Sequence, residues 1–74
     1  EELLERLDRR WREAGIEVTA ERVNFHYLGG CVDVEILLSL DEVMGIDEAR
    51  RLSRRLVEAT RKEQHVGTID VLFR

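Results

Sequence analysis

The stretch Val23-Asn24-Phe25-His26-Tyr27-Leu28-Gly29-Gly30-Cys31-Val32-Asp33-Val34-Glu35-Ile36-Leu37-Leu38 decides the fold. Before the paired glycines, Val23, Phe25 and Tyr27 share one parity, and Asn24, His26 and Leu28 share the other. After them the alternation is stricter: Val32, Val34, Ile36, Leu38 and Leu40 point one way, Asp33, Glu35, Leu37 and Ser39 the other. A period of two belongs to a strand with one buried face. Gly29-Gly30 supplies the tight turn, because glycine tolerates the positive φ that short hairpin loops require. A half-buried antiparallel hairpin is expected, with its second strand over Cys31 to Leu40.

Upstream, residues 2–14 read as an amphipathic helix. Leu3, Leu4, Leu7, Trp11 and Ala14 recur at helical spacing, and Arg6, Arg9, Arg10, Arg12 and Glu13 fill the other side. Glu1, Glu2 and Glu5 suit the positive end of the helix dipole, and Gly15 suits the cap at its far end. Ile16, Val18 and Ala20 also alternate, but with parity opposite to Val23, so a bulge or break is expected near Glu21. Downstream, Asp41 to Gly45 is a loop. A second helix is expected from Asp47 to about Gln64, burying Ile46, Ala49, Leu52, Leu56 and Ala59 and exposing Arg50, Arg51, Arg54, Arg55, Glu58, Arg61 and Lys62. A last strand, Thr68 to Phe73, turns Ile69, Val71 and Phe73 inward and Asp70 and Leu72 outward.

The order is α-β-β-α-β. Two helices with apolar stripes and a three-stranded sheet bury those faces against each other, which makes a two-layer α+β sandwich of ferredoxin-like type with both helices on one face. The β-α-β crossover is expected to be right-handed. The other face of the sheet stays bare and carries His26, Leu28, Asp33, Glu35, Leu37, Asp70 and Leu72. Leucines mixed with carboxylates on an uncovered face mark a surface for a partner or ligand.

The 74 residues make one domain, residues 1–74, with no proline-rich linker and no repeat. Hydrophobic residues at 43% allow a core, yet a domain this small draws only ~3–5 kcal/mol from one and usually needs a staple. Cys31 is the only cysteine, which excludes an internal disulfide and favours a reducing, intracellular setting. With only His26 and His65, no zinc-ligand spacing exists. Self-association or attachment to something larger is therefore the expected staple, with Leu28, Leu37 and Leu72 as the dimer patch. No run approaches the ~20 apolar residues of a membrane span, so the chain itself does not insert in a bilayer. The N-terminus is charged rather than signal-like and lacks an initiator methionine, so the chain is expected to be cut from a longer protein.

The net charge of −4 hides an uneven distribution. Between Asn24 and Ala49 there are six acids and no Lys or Arg; between Arg50 and Lys62 there are six bases and one acid. A basic helix can meet phosphates, but no aromatic residues interleave these arginines, so nucleic acid is not favoured. Enzymatic chemistry finds no support either. There is no nucleophile-base spacing and no glycine loop of phosphate-cradling type, and carboxylates on an open sheet lack the cleft that tunes acid–base groups.

The runs Val23–Gly30, Val32–Leu38 and Gly45-Ile46-Asp47-Glu48-Ala49-Arg50 together resemble the cytoplasmic C-terminal domain of cation diffusion facilitators, over about Leu3 to Val71. The nearest branch in character includes magnetosome iron transporters, in which a carboxylate can replace the strand histidine. The resemblance implies a cytoplasmic homodimer that regulates a separate transmembrane domain, which exchanges divalent metal for protons. Metal bound in such a domain tightens a V-shaped pair. Residue by residue, the family's strand ligand falls on Glu35, with Asp33 beside it, and the last-strand histidine falls on Asp70. The histidine at the start of the second helix falls on Arg50, which cannot ligate a metal. Arg50 would instead neutralise Glu35 or Asp70 in a bidentate pair, removing the need for metal.

Two readings of Glu35, Asp33 and Asp70 therefore stand side by side: solvated outward carboxylates, or oxygen ligands to zinc, iron or manganese with His26 or a symmetry mate completing the set. His26 also reads as an ordinary surface histidine, His65 as a dipole partner at a helix end, and Cys31 as a small hydrophobe. A second resemblance competes. Gly15-Ile16-Glu17-Val18, Gly29-Gly30 and Gly45-Ile46-Asp47-Glu48-Ala49 are similar to the RNA- and ribosome-associated N-terminal domain of ribosome maturation factors. That family's "V-S-S-P-G" ending is replaced here by Val71-Leu72-Phe73-Arg74.

Overall fold

Helix α1 (Leu3–Glu13) forms on the predicted apolar stripe, and the computed structural model, which describes residues 2–74, buries Leu7 and Trp11 from it. Glu1, read as a dipole partner, lies outside the described residues. The helix ends in a Schellman arrangement: the Ile16 N–H donates to the Trp11 carbonyl at 2.9 Å and the Gly15 N–H to that of Arg12 at 3.0 Å. Gly15 has a φ of +79°, which a side chain would strain, so glycine belongs there. Arg55 reaches across from the second helix and donates to the exposed Ala14 carbonyl at 2.7 Å.

Strands β1 (Arg22–Leu28) and β2 (Cys31–Leu38) pair antiparallel around Gly29-Gly30, in a register that sets Val23 against Ile36 and Phe25 against Val34. Strand β3 (Val66–Phe73) pairs parallel to β2, so the sheet order is β1-β2-β3 with β2 in the centre. Central position explains the clean alternation: Val32, Val34, Ile36 and Leu38 are buried and the residues between them are not. Helix α2 (Ile46–Arg61) crosses from β2 to β3 and buries Leu52, Leu56, Ala59 and Thr60. Both helices join the same core as Val34, Ile36 and Leu38, giving the two-layer α+β sandwich.

A polar contact crosses that core. The Trp11 indole Nε1–H donates to the Thr60 hydroxyl oxygen at 2.9 Å, fully inside the structure. A buried indole N–H without an acceptor costs ~1–3 kcal/mol, so this bond fixes how α1 sits on α2.

Several expectations fail at element ends, for one physical reason: parity says which way a side chain points, not whether anything covers it. Leu40 does not extend β2. It opens a short 3-10 turn (Leu40–Glu42) whose Asp41 N–H is taken by the Ser39 hydroxyl, and it is exposed. Ile46 starts α2 but stands in solvent, outside the sheet's cover. Tyr27 shares its parity with Val23 and Phe25, yet it sits at the hairpin end and is exposed. The break expected near Glu21 is present, by contrast: residues 16–20 make no ladder and β1 starts at Arg22, while Ile16 is buried and Val18 and Ala20 pack against the core. His65 adopts a left-handed φ of +66° and its carbonyl accepts the Val32 N–H at 2.7 Å.

Candidate functional site: the bare face of the sheet

The register places the outward residues in rows. His26 lies opposite Asp33, Asn24 opposite Glu35, and Leu28 opposite Cys31 across β1 and β2. Across β2 and β3, Glu35 lies beside Asp70 and Leu37 beside Leu72. Asn24, Glu35 and Asp70 therefore form one row, and Leu37 and Leu72 the next.

The three predicted carboxylates have different environments. Between Val32 and Val34 the pairing to β3 slips, because Val66 and Ile69 are the partners of two β2 residues only two apart. That is a β-bulge with its extra residue on β3. Asp33 occupies it: its Oδ1 accepts the Thr68 backbone N–H at 2.8 Å, replacing a missing ladder bond. Gly67 lets the carboxylate in, since a Cβ there would stand 2.6 Å from Asp33 Oδ1. Glu35 accepts one hydrogen bond, from the Asn24 side-chain amide at 3.0 Å, and stays half-buried. Asp70 is exposed beside it.

Among the described residues, no three of His, Cys, Asp and Glu come together in a group that could hold a metal ion. What the face offers is a pair of carboxylates, Glu35 and Asp70, and separately His26 facing an Asp33 already committed to the backbone. Two adjacent carboxylates attract a cation and supply oxygen donors suited to a hard or borderline divalent ion, but divalent ions take more ligands than two. A complete shell from this face needs donors from a second molecule or from water.

Leu37 and Leu72 are neighbours, whereas Leu28 stands at the hairpin end, ~20 Å away along the strand at ~3.3 Å per residue. The three leucines do not make one patch within a chain. Arg50 is on α2, over the opposite face of the sheet, in a groove with Ala49, Ser53 and Phe73. Its expected ion pair with Glu35 or Asp70 is not among the salt bridges of the described residues, because the sheet lies between them.

Sequence reasoning missed two carboxylate roles. The bulge role of Asp33 had one signal, Gly67 at the start of the last strand. The second is Glu63, which accepts from Arg6 Nε at 2.7 Å and from Arg10 Nε at 2.6 Å, its side chain only 9% exposed. Those hydrogen bonds, from Arg10 first and then Arg6, hold its carboxyl below the ordinary range against the opposing effect of burial. The i, i+4 spacing of Arg6 and Arg10 hinted at a shared acid.

No protein-family model matches the chain, and no curated protein matches it. The class that the architecture defines is instead found among solved structures. A MamM C-terminal domain carrying a Met-to-Leu substitution superposes with a TM-score of 0.68 at 15% identity, over 99% of this chain and 98% of that one. A substituted MamM C-terminal domain in a cadmium form gives 0.68 at 17% identity, over 99% and 96%. Another in a copper form gives 0.67 at 16%, over 96% and 95%. At such identities the likeness is one of fold. Among the described residues no helix is long and apolar enough to cross a membrane.

Proposed function

We propose that this chain is the cytoplasmic regulatory and dimerisation domain of a divalent-cation efflux transporter of the cation diffusion facilitator type. The observation that carries the reading is the coextensive fold: MamM, a cation diffusion facilitator, has a C-terminal domain that matches 99% of this chain with 98% of its own length. The metal-bound forms of that domain support a role in cation sensing. In this reading the partners are a second copy and the chain's own transmembrane domain, and the domain performs no catalysis.

The mechanism is a change in how two copies sit. Each copy brings Glu35 and Asp70 as adjacent oxygen donors, with Asn24 orienting Glu35. A zinc, iron or manganese ion would be held by these carboxylates when two copies face each other, offsetting repulsion between like charges. His26, opposite Asp33, is the imidazole that the same face offers. Asp33 is the weakest candidate, since ligation would take Oδ1 from the Thr68 N–H. A cation that binds the paired arrangement better than the separated one shifts the population toward it, and thereby biases the transmembrane domain.

Calorimetric titration with Zn²⁺, Mn²⁺ and Fe²⁺ tests this, alongside sedimentation of the same samples. Binding is expected in the wild type, to be lost in Glu35→Ala and Asp70→Ala, and to be retained in Asp33→Asn. No heat with any of the three ions would remove metal sensing; a monomer at high concentration with and without metal would remove dimerisation.

A further inference from the structure

Where β2 and β3 end, three large apolar side chains stand in solvent: Met44 is 92% exposed, Ile46 73% and Leu40 56%. Next to them, Ile46, Ala49, Ser53 and Phe73 line a groove of about 430 Å³ along α2, with Arg50 and Arg54 on its rim. These two guanidiniums have no ion-pair or hydrogen-bond partner among the described residues, unlike Arg55, which caps Ala14, and unlike Arg6 and Arg10, which share Glu63. An apolar groove with unpaired cations on its rim fits an acidic segment that carries an apolar anchor.

This chain contains such a segment. Leu40-Asp41-Glu42-Val43-Met44 combines two carboxylates with two exposed apolar side chains. Met44 is not docked in its own molecule, and methionine adapts well to an irregular apolar slot. Segment and groove adjoin on the surface, joined through Gly45 and Ile46. A two-fold axis beside them lets each copy give its segment and receive the other's, as an isologous contact requires.

We propose that the groove along α2 receives the Leu40–Met44 segment of a second copy, with Met44 in the slot and Asp41 and Glu42 against Arg50 and Arg54. The proposal rests on the reading that the chain self-associates, and it assigns a clasp to a surface other than the bare sheet face. It also gives a use to the side chains of Asp41, Glu42, Arg50 and Arg54, which have no hydrogen bond or ion pair among the described residues. The occupant is a copy of this chain rather than a foreign acidic peptide, because both halves of the match are on it.

The test uses two reciprocal variants of the chain, Arg50→Glu with Arg54→Glu, and Asp41→Lys with Glu42→Lys, followed by sedimentation alone and mixed. Each alone sets like charges together at both halves of the contact, so self-association is expected to weaken by about tenfold or more. Mixed in equal amounts, they restore attraction at both halves, and a heterodimer of near wild-type affinity is expected. Met44→Ser is expected to weaken the wild-type dimer by more than about tenfold with an unchanged far-ultraviolet spectrum, since Met44 is exposed. A wild-type dimer unmoved by all three overturns the clasp alone, as does weakening without recovery on mixing. A wild-type monomer overturns the dimerisation reading beneath it.

Discussion

The two faces of β2 make a controlled comparison, because they share one backbone and differ only in parity. Val32, Val34, Ile36 and Leu38 look toward the helices and are buried in the core. Asp33, Glu35 and Leu37 look away, and each does something else: one fills a bulge, one takes an amide, one meets Leu72. Stability is concentrated on the first face, where apolar area leaves water. The second face is free to carry charge because little folding energy depends on it. That division explains how so small a domain can keep adjacent carboxylates without loss of fold.

Substitution at neighbouring positions sharpens the comparison most. Ile36→Ala removes a fully buried side chain and is expected to cost ~2–5 kcal/mol in chemical denaturation, while Leu37→Ala on the same strand costs about 1 kcal/mol or less. Equal losses would break the two-face division.

The next effect lies at a place where the bare face does support the fold. Gly67→Ala puts a Cβ against Asp33 Oδ1 and is expected to cost ~1–3 kcal/mol. Asp33→Ala leaves the Thr68 N–H without its acceptor and is expected to cost ~1 kcal/mol, with faster amide exchange at that position. A Gly67→Ala protein as stable as the wild type would show that the carboxylate moves aside freely.

The smallest effect is on the helix side and depends on pH. Because Glu63 has its carboxyl held below the ordinary value in the folded state, its contribution is fully present above the unfolded value of about 4.3 and is lost as pH falls through the folded value. Glu63→Gln is therefore expected to lower stability by about 1 kcal/mol at pH 7, with the gap to the wild type closing in acid below pH ~4. A gap independent of pH would mean that packing, rather than charge, holds Glu63 in place.

Much of the fold was legible because its signals are local. The strict alternation of Cys31–Leu38, the Gly29-Gly30 turn and the stripe of Leu52, Leu56 and Ala59 each report their own backbone period. Gly15 marked the end of α1 for the same reason. The candidate site was legible only as parity. Periodicity placed Glu35, Asp70, Leu37 and Leu72 on one face, but whether they meet depends on register, which a bulge resets. Leu28 shares the face and not the place. Arg50 lies on a helix over the other face and makes no salt bridge with the acids assigned to it among the described residues.

By itself, then, the sequence determined the element order and the faces of each strand and helix, because these follow from side-chain periodicity and transfer from water. Only the tertiary structure decided which outward groups are spent. Asp33 is bound to a backbone amide 35 residues away, and Glu63 to two arginines more than fifty residues away. Such partners have no local signature. They are selected by where the chain brings donors that water no longer satisfies, and that is known only once every element is in place.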